Sequence, residues 1–582
     1  MTKKELAILD RYRQNVLKEG RLRDIKQMLS LIEKHYPNDN LAIVEKRKDE
    51  IIEYTIKRTL HDIRALGTAL VNMGLKGKHI AICGENSYAW LISFLAIICG
   101  VGIAVPIDKE LTDDGISQLI SKADCEVVFC SKTYVKCMKA HQKNDERCKT
   151  VICFNKEVDA PGFYTFQNLI DEGDKLLKDG DTSYTDIEID SNAMTAIFFT
   201  SGTTGANKGV MLSHKNLCTN VNGITDLIPS EGSSFSLLPM NHVFELSCNC
   251  LTAMYMNATI YINDSLKNIL ANIQLFKPHA LNAVPLVLEG IYYGIWAEAE
   301  RKGKADALRK LVSLSNKLRE KGIDMRPVLF STIKKKFGNK FPTLACGGAA
   351  SRAEYVKGLG DFGFKVYNGY GLTESSPTVT LNMEADRDPT SAGYVFPKTS
   401  IRINEPDEEG VGEIWIKGDN VFQGYYKDPE ATAASFEDGW FKTGDFGKLT
   451  ASNELFISGR KKSLIILDNG KNVFPEDIEF GLMDNISYVR EAVALESEQV
   501  INGHNTKIIA SVLYVEPSDF PDKTDDEILK IVKTDVADVN RKMPSYKKVT
   551  DVVLTYTEFD KSSTRKIIRA KAAERYFNSK EG

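Results

Sequence analysis

No pair of cysteines in this chain is spaced to hold a metal or a disulfide framework. The eleven cysteines are scattered, none forms a Cys-x-x-Cys unit, and the closest two, Cys248 and Cys250, have no histidine cluster beside them. That argues against structural zinc and against a stapled secreted fold, and suits a reducing cytoplasm. Charge of one sign is also missing: the formal net charge is −4 and the isoelectric point about 6.2, which speaks against nucleic acid as a main partner. The opening residues, Met1-Thr-Lys-Lys-Glu5, are charged and do not read as a signal peptide. There is no internal repeat and no low-complexity tract. Long hydrophobic runs are nearly absent. One uncharged span, Ala89 to Pro106, touches at eighteen residues the length of a membrane helix. Gly100 and Gly102 break it, and β-branched Val101, Ile103 and Val105 lead into Pro106, so it predicts a buried helix followed by a buried strand.

What is present is a globular composition, 43% hydrophobic and 26% charged, over 582 residues, enough for two or more domains. Residues 1–45 read as a charged helical extension lying on the surface. Leu60, Ile63, Leu66, Leu70 and Val71 mark an amphipathic helix within 51–77. Strand signals at His79–Cys83, Cys125–Cys130 and Thr150–Phe154 then alternate with helical ones, which predicts α/β layers with largely parallel strands. Residues 297–340 predict a solvated helical excursion with a basic tilt. After about 460 the pattern is strand, hairpin at Asp468-Asn-Gly470, helix, strand, helix. A capping box at Thr524-Asp-Asp-Glu527 precedes an apolar stripe at Ile528, Leu529, Val532 and Val536.

The most informative stretch is Thr200-Ser-Gly-Thr-Thr-Gly-Ala-Asn-Lys-Gly-Val210. Glycines turn backbone N–H groups toward a ligand, hydroxyls add donors and Lys208 adds charge, which together make a phosphate cradle. It is not the P-loop of nucleotide hydrolases, in which the lysine runs straight into a helix. Here apolar runs flank the loop and a helix starts only after Ser213, a plausible N-cap, so the pattern is strand, loop, strand. At this stretch the chain resembles the adenylate-forming superfamily of acyl-CoA synthetases, adenylation domains of peptide synthetases, and luciferases. The one departure is Asn207, where proline is usual.

Other segments resemble the same superfamily in the same order. Leu238-Pro-Met-Asn-His-Val-Phe-Glu245 is similar to a motif of long-chain acyl-CoA synthetases, and the resemblance puts His242 beside the reacting carboxylate. A lone histidine among apolar residues is also a common structural element. Asn282–Tyr293 looks like the long-chain members as well, with Leu286 where arginine is common. In Leu344–Ala350 the small residues Gly348 and Ala349 would lie under adenine. By the resemblance, Val366–Glu374 would supply Asn368, Gly369 and Tyr370 to the nucleotide and Thr373 and Glu374 to catalysis. By the same resemblance Asp445 takes the ribose hydroxyls and Arg460 sits at the inter-domain hinge, with Ser463 replacing the usual hinge acid. Lys566 aligns with the lysine that reaches into the site, preceded by Arg565 where glycine is frequent.

The resemblance implies a fold with a large N-terminal domain of layered α/β subdomains (residues 1–459) and a small mobile α+β C-terminal domain (460–582). It implies a carboxylate attacking ATP to give an acyl-adenylate and pyrophosphate, then transfer to CoA: a long-chain fatty acid–CoA ligase. Thr200, Ser201, Gly202, Thr203, Thr204, Gly205 and Lys208 would grip phosphates, and Mg²⁺ would be held through Glu374 and Thr200. The partners implied are fatty acid, ATP and CoA, no nucleic acid, and a membrane surface visited without a transmembrane helix. The alternatives are an acyl carrier protein as acceptor, a ligase for aryl or shorter acids, and a nucleotide-binding regulator without catalysis.

Overall fold

The computed structural model describes residues 14–48, 50–200, 207–229, 232–339, 342–385, 388–468, 471–501, 504–561 and 567–581. It divides into two compact units, one made of residues up to 400 with 416–441, the other of 401–415 with 442–582.

The first unit is built on two mainly parallel sheets. In one, six parallel strands run Met194–Thr200, Gly102–Ile107, Lys78–Cys83, Val127–Cys130, Thr150–Cys153 and Phe163–Thr165. Lys208–Ser213 and Gly424–Tyr425 add antiparallel at the Met194–Thr200 end. Short unbroken apolar runs such as Val-Val-Phe-Cys suit strands buried on both faces. The uncharged span forms the buried helix Tyr88–Ala96, capped by Ser87, whose hydroxyl accepts from Trp90 N, and then the strand Gly102–Ile107. A side chain at Gly102 would meet the Lys78 carbonyl at 2.2 Å, so the glycine is what lets these strands pair. Among the described residues no helix is long and apolar enough to cross a membrane.

In the second sheet six further parallel strands run Leu41–Arg47, Thr259–Ile262, Ser233–Ser236, Ala280–Ala283, Thr343–Cys346 and Lys365–Gly371. Antiparallel Glu50–Thr55 pairs with Leu41–Arg47, and antiparallel Thr378–Asn382 and Gly393–Val395 follow Lys365–Gly371. Residues 1–13 lie outside the described residues; for the later part of 1–45, the structure corrects the expectation of a surface extension. Within that segment the helix Ile25–His35 buries Ile25, Met28, Leu29, Leu31 and Ile32, and Leu41–Arg47 buries Ala42, Ile43 and Val44 as a sheet strand. The spacing 25, 28, 29, 32 is a helical apolar face that the surrounding charges masked. The amphipathic helix likewise starts only at Ile56, because Glu50–Thr55 is extended.

In the second unit Asp445–Leu449 pairs antiparallel with Leu455–Arg460. Ile465–Ile466 pairs with Asn472–Val473, while Asn469 and Gly470 of the expected hairpin turn lie outside the described residues. Strands Val489–Ile501, His504–Val515 and Val549–Thr555 pack with helices Pro475–Asn485 and Asp525–Lys542 around Val473, Ile478, Leu482, Leu513, Val532 and Val536. The Thr524/Glu527 capping box forms as the sequence predicts.

Candidate active site

Four neighbouring parallel strands of the second sheet end at one edge, and each hands a candidate motif to that edge. Ser233–Ser236 leads to His242, Ala280–Ala283 to Val284-Pro285, Thr343–Cys346 to Gly347-Gly348-Ala349, and Lys365–Gly371 to Thr373 and Glu374. In register Ala283 lies opposite Cys346, and Cys346 opposite Asn368. Carboxyl ends of parallel strands are where α/β folds bind ligands, since loops there are free to vary around fixed backbone. The approach is close. Gly347 N–H donates to Ala283 O at 3.1 Å, and a side chain at Gly347 would press on the Phe244 ring at 3.2 Å. Gly348 has φ +86, and a side chain there would find only Val284, at 3.9 Å. That leaves open backbone on which a flat base can lie. A side chain at Gly371 would sit 1.7 Å from Pro377 O, so only glycine allows the turn that presents Glu374.

The strands Met194–Thr200 and Lys208–Ser213 form a hairpin in the first sheet, with Thr200 opposite Lys208. Ser201, Gly202, Thr203, Thr204 and Gly205 lie outside the described residues. The helix after the hairpin starts at His214 with Ser213 as N-cap in a reciprocal capping box with Asn216. Beside the hairpin, Tyr425 pairs with Val210 and lies with its ring 4.3 Å from Lys208 Nζ. Its hydroxyl donates to Glu374 Oε1 at 3.0 Å, and Phe422 N–H donates to Glu374 O at 2.8 Å. Lys208, Tyr425 and Glu374 thus form one polar constellation across two sheets. Burial, followed by the Glu374 charge, pushes the Tyr425 phenol far above its ordinary range, so it stays a donor. Sequence reasoning missed Tyr425. Its only local signal is the aromatic pair after Gly424, and its role depends on strand pairing.

His242 is held on a clamped loop. Asn86 Nδ2 donates to Leu238 O at 2.8 Å and its Oδ1 accepts from Met240 N at 2.9 Å, while His242 N–H donates to Pro239 O at 3.1 Å. Glu245, fully buried, accepts from Asn249 Nδ2 at 2.7 Å, and burial pushes its carboxyl up to about 8. Neither Asn86 nor Glu245 was foreseen as a support of this loop.

In the second unit Asp445 lies opposite Arg460 in register and pairs with its Nε at 3.0 Å. Asp445 N–H donates to Thr443 Oγ1 at 3.1 Å, and that hydroxyl donates to Ile414 O at 2.7 Å. Ser463 ends the short turn Lys461–Ser463. Lys566 lies outside the described residues, but its flanks are pinned. Lys561 bridges to Ile567, and Ile568 N–H donates to Asp560 O at 2.8 Å. Arg569 pairs with Glu479 at 2.7 Å and Glu476 at 3.4 Å. Burial raises Glu479 to about 7 despite the arginine.

Residues 32–426 match the AMP-binding enzyme family model, and 462–579 match the AMP-binding enzyme C-terminal domain. The chain belongs to the AMP-binding enzyme family. Among relatives of this family member, long-chain-fatty-acid–CoA ligase FadD15 of Mycobacterium bovis is 26% identical, over 80% of this chain and 78% of its own. Long chain acyl-CoA synthetase 4 of Arabidopsis thaliana is 28% identical, over 76% and 72%. In fold, ATP-bound MatB from Rhodopseudomonas palustris superposes with a TM-score of 0.73 at 22% identity, covering 95% of this chain and 99% of MatB. The o-succinylbenzoate CoA synthetase of Bacillus subtilis, with ATP and magnesium, gives 0.69 at 19%, covering 94% and 98%.

Proposed function

We propose that this AMP-binding enzyme is a long-chain fatty acid–CoA ligase. The fatty carboxylate oxygen attacks the α-phosphorus of ATP, the bond to pyrophosphate breaks, and CoA thiol then displaces AMP from the acyl carbon. The observation that carries the reading is the convergence of four parallel strand ends on one edge, with Glu374 tied through Tyr425 to Lys208. In-line phosphoryl chemistry asks little of a protein except positioning and charge neutralisation, and this arrangement supplies both. The long-chain acid is the substrate named for several relatives.

In this reading Thr200 to Lys208 hold the β- and γ-phosphates, and Gly348, Ala349, Asn368, Gly369 and Tyr370 receive the adenosine. Asp445 takes the ribose hydroxyls, with Arg460 at the hinge. His242 and Thr373 border the reacting carboxylate and the α-phosphate, and Lys566 neutralises oxygens there. Glu374, an oxygen donor that accepts from the Tyr425 phenol, suits Mg²⁺ held mainly by phosphate oxygens, with Thr200 as second ligand; the ion would offset phosphate charge. Eleven free cysteines, all but Cys248 buried, suit a reducing cytoplasm.

The test is pyrophosphate release and CoA thioester formation with acids from medium to long chain, wild type beside Lys566→Ala. Long-chain thioester from the wild type alone supports the assignment. Pyrophosphate without thioester moves the acceptor to a carrier protein, and preference for aryl or short acids overturns the substrate.

A further inference from the structure

The chain is slightly acidic overall, yet residues 301–340 carry thirteen lysines and arginines against three acids. Six of these cations are ion-paired and six lysines are not, among the described residues. Glu298 alone takes Arg301, Lys302 and Lys336, Arg309 pairs with Asp306, and Arg319 and Arg326 face Asp361 and Asp324. Lys304, Lys310, Lys317, Lys321, Lys334 and Lys335 have no ion pair among the described residues.

The helix Ala305–Glu320 arranges part of this charge on one line. Lys310, Leu314, Lys317 and Lys321 follow at intervals of four, three and four, a single stripe of an α-helix, and all four are exposed. The opposite side turns Leu308, Leu311 and Val312 inward and buries Ser315. Leu314 is therefore a bare apolar side chain at 48% exposure between lysines, with Asp306 and Glu320 as the acids nearest the stripe. Just beyond the helix, Ile323 and Val328 are exposed to 49% and 64%. Salt bridges and the Arg326–Gly360 O bond at 2.7 Å fix this segment on the body of the unit, so it is a built surface. The preceding helix, Pro285–Arg301, starts at the strand end beside Gly348 and exposes Leu286, Gly290, Tyr293 and Gly294, an uncharged face with open space at both glycines.

We infer that the face built on Lys310, Leu314, Lys317 and Lys321, with Ile323 and Val328, docks on an anionic lipid bilayer. Lysines meet lipid phosphates while the isolated aliphatic side chains enter the headgroup boundary, the pattern of an interfacial helix and not of a buried core. An acidic protein or nucleic acid would use the charge but leave Leu314, Ile323 and Val328 unexplained. The biological rationale rests on the proposed fatty acid substrate, which partitions into bilayers. The binding itself does not.

The experiment is co-sedimentation of the full chain with phosphatidylcholine vesicles, either alone or with about one third phosphatidylglycerol. The expected result is binding to the anionic vesicles only, weakening as salt rises toward ~0.5 M. In Lys310→Gln/Lys317→Gln/Lys321→Gln the partition coefficient falls roughly a hundredfold. Leu314→Ser keeps the charges but binds more weakly and loses salt resistance. Both variants keep wild-type thermal unfolding and pyrophosphate release with a water-soluble acid. Equal binding to neutral vesicles, no binding to either, or an unchanged triple variant overturns the inference, as does tighter binding to RNA than to vesicles at equal salt. Failure here with intact thioester formation sinks the docking face alone, and binding without any ligase activity sinks the proposed function alone.

Discussion

Tyr425→Phe removes one atom from the constellation that ties Lys208 to Glu374. The ring remains, 4.3 Å from Lys208 Nζ and largely buried, so packing and the cation–π contact persist. What disappears is the hydroxyl that donates to Glu374 Oε1 at 3.0 Å. A hydrogen bond to a charged acceptor contributes about 1.5–3 kcal/mol. If Glu374 must hold its place as charge develops on the phosphates, most of that energy belongs to the transition state. The expected loss in kcat/KM for pyrophosphate release is then about tenfold to 150-fold, with little change in the midpoint of thermal unfolding. Glu374→Gln alone should cost at least as much, and the double variant should lose less than the two effects combined, because both act through one bond. A Tyr425→Phe enzyme within twofold of wild type, or strictly additive losses, would refute the constellation as a working unit.

Glu245 gives a pH signature. Its carboxyl is raised from 4.5 to about 8 in the fold, so the folded state holds the proton more tightly and stability declines as pH rises between those values. Glu245→Gln should remove that slope, by at most on the order of 5 kcal/mol across the window; parallel unfolding curves for the two proteins at pH 5 and pH 8 would contradict it. Arg569→Met leaves buried Glu479 and half-buried Glu476 without their cation and should destabilise the second unit by about 3–5 kcal/mol. The deficit should shrink as pH falls below the Glu479 value of about 7, and a pH-independent deficit in denaturant titrations would count against the pairing. Gly371→Ala drives a Cβ to 1.7 Å from Pro377 O, so the Thr373–Glu374 turn must move. Adenylation should fall by more than tenfold, and a variant with wild-type turnover would show that the turn is dispensable.

How much of this was legible depends on distance along the chain. The hairpin around the phosphate cradle, the Ser213 cap and the Thr524/Glu527 box are local, and each formed where its residues predict. Alternating apolar runs carry the parallel α/β class as well. They do not say which strand lies beside which. Leu41–Arg47 joins Thr259–Ile262 across more than two hundred residues, so an apolar Ala-Ile-Val in a charged segment looked like surface. Asn86 clamps a loop some 150 residues away, and Tyr425 reaches Glu374 from 51 residues downstream. A polar residue at a non-local contact leaves no periodicity to read, since its partner is fixed by sheet order and not by spacing.

The same logic explains why the chemistry-bearing residues sit on glycine-bounded turns. At Gly347 and Gly371 the missing side chain is replaced in space by the Phe244 ring and the Pro377 carbonyl. Those positions are required by neighbours that the linear motif does not contain. Phe244 is itself held by Asn282 Nδ2, which donates to its carbonyl at 3.2 Å, and Asn282 lies on the next parallel strand. The edge is therefore a set of neighbouring strand ends, in which the His242 loop and the Gly347–Ala349 turn limit each other's movement and Pro377 fixes the Glu374 turn. A side chain at Gly347 should therefore misplace the His242 loop as well, and its effect should appear in turnover before it appears in the unfolding midpoint.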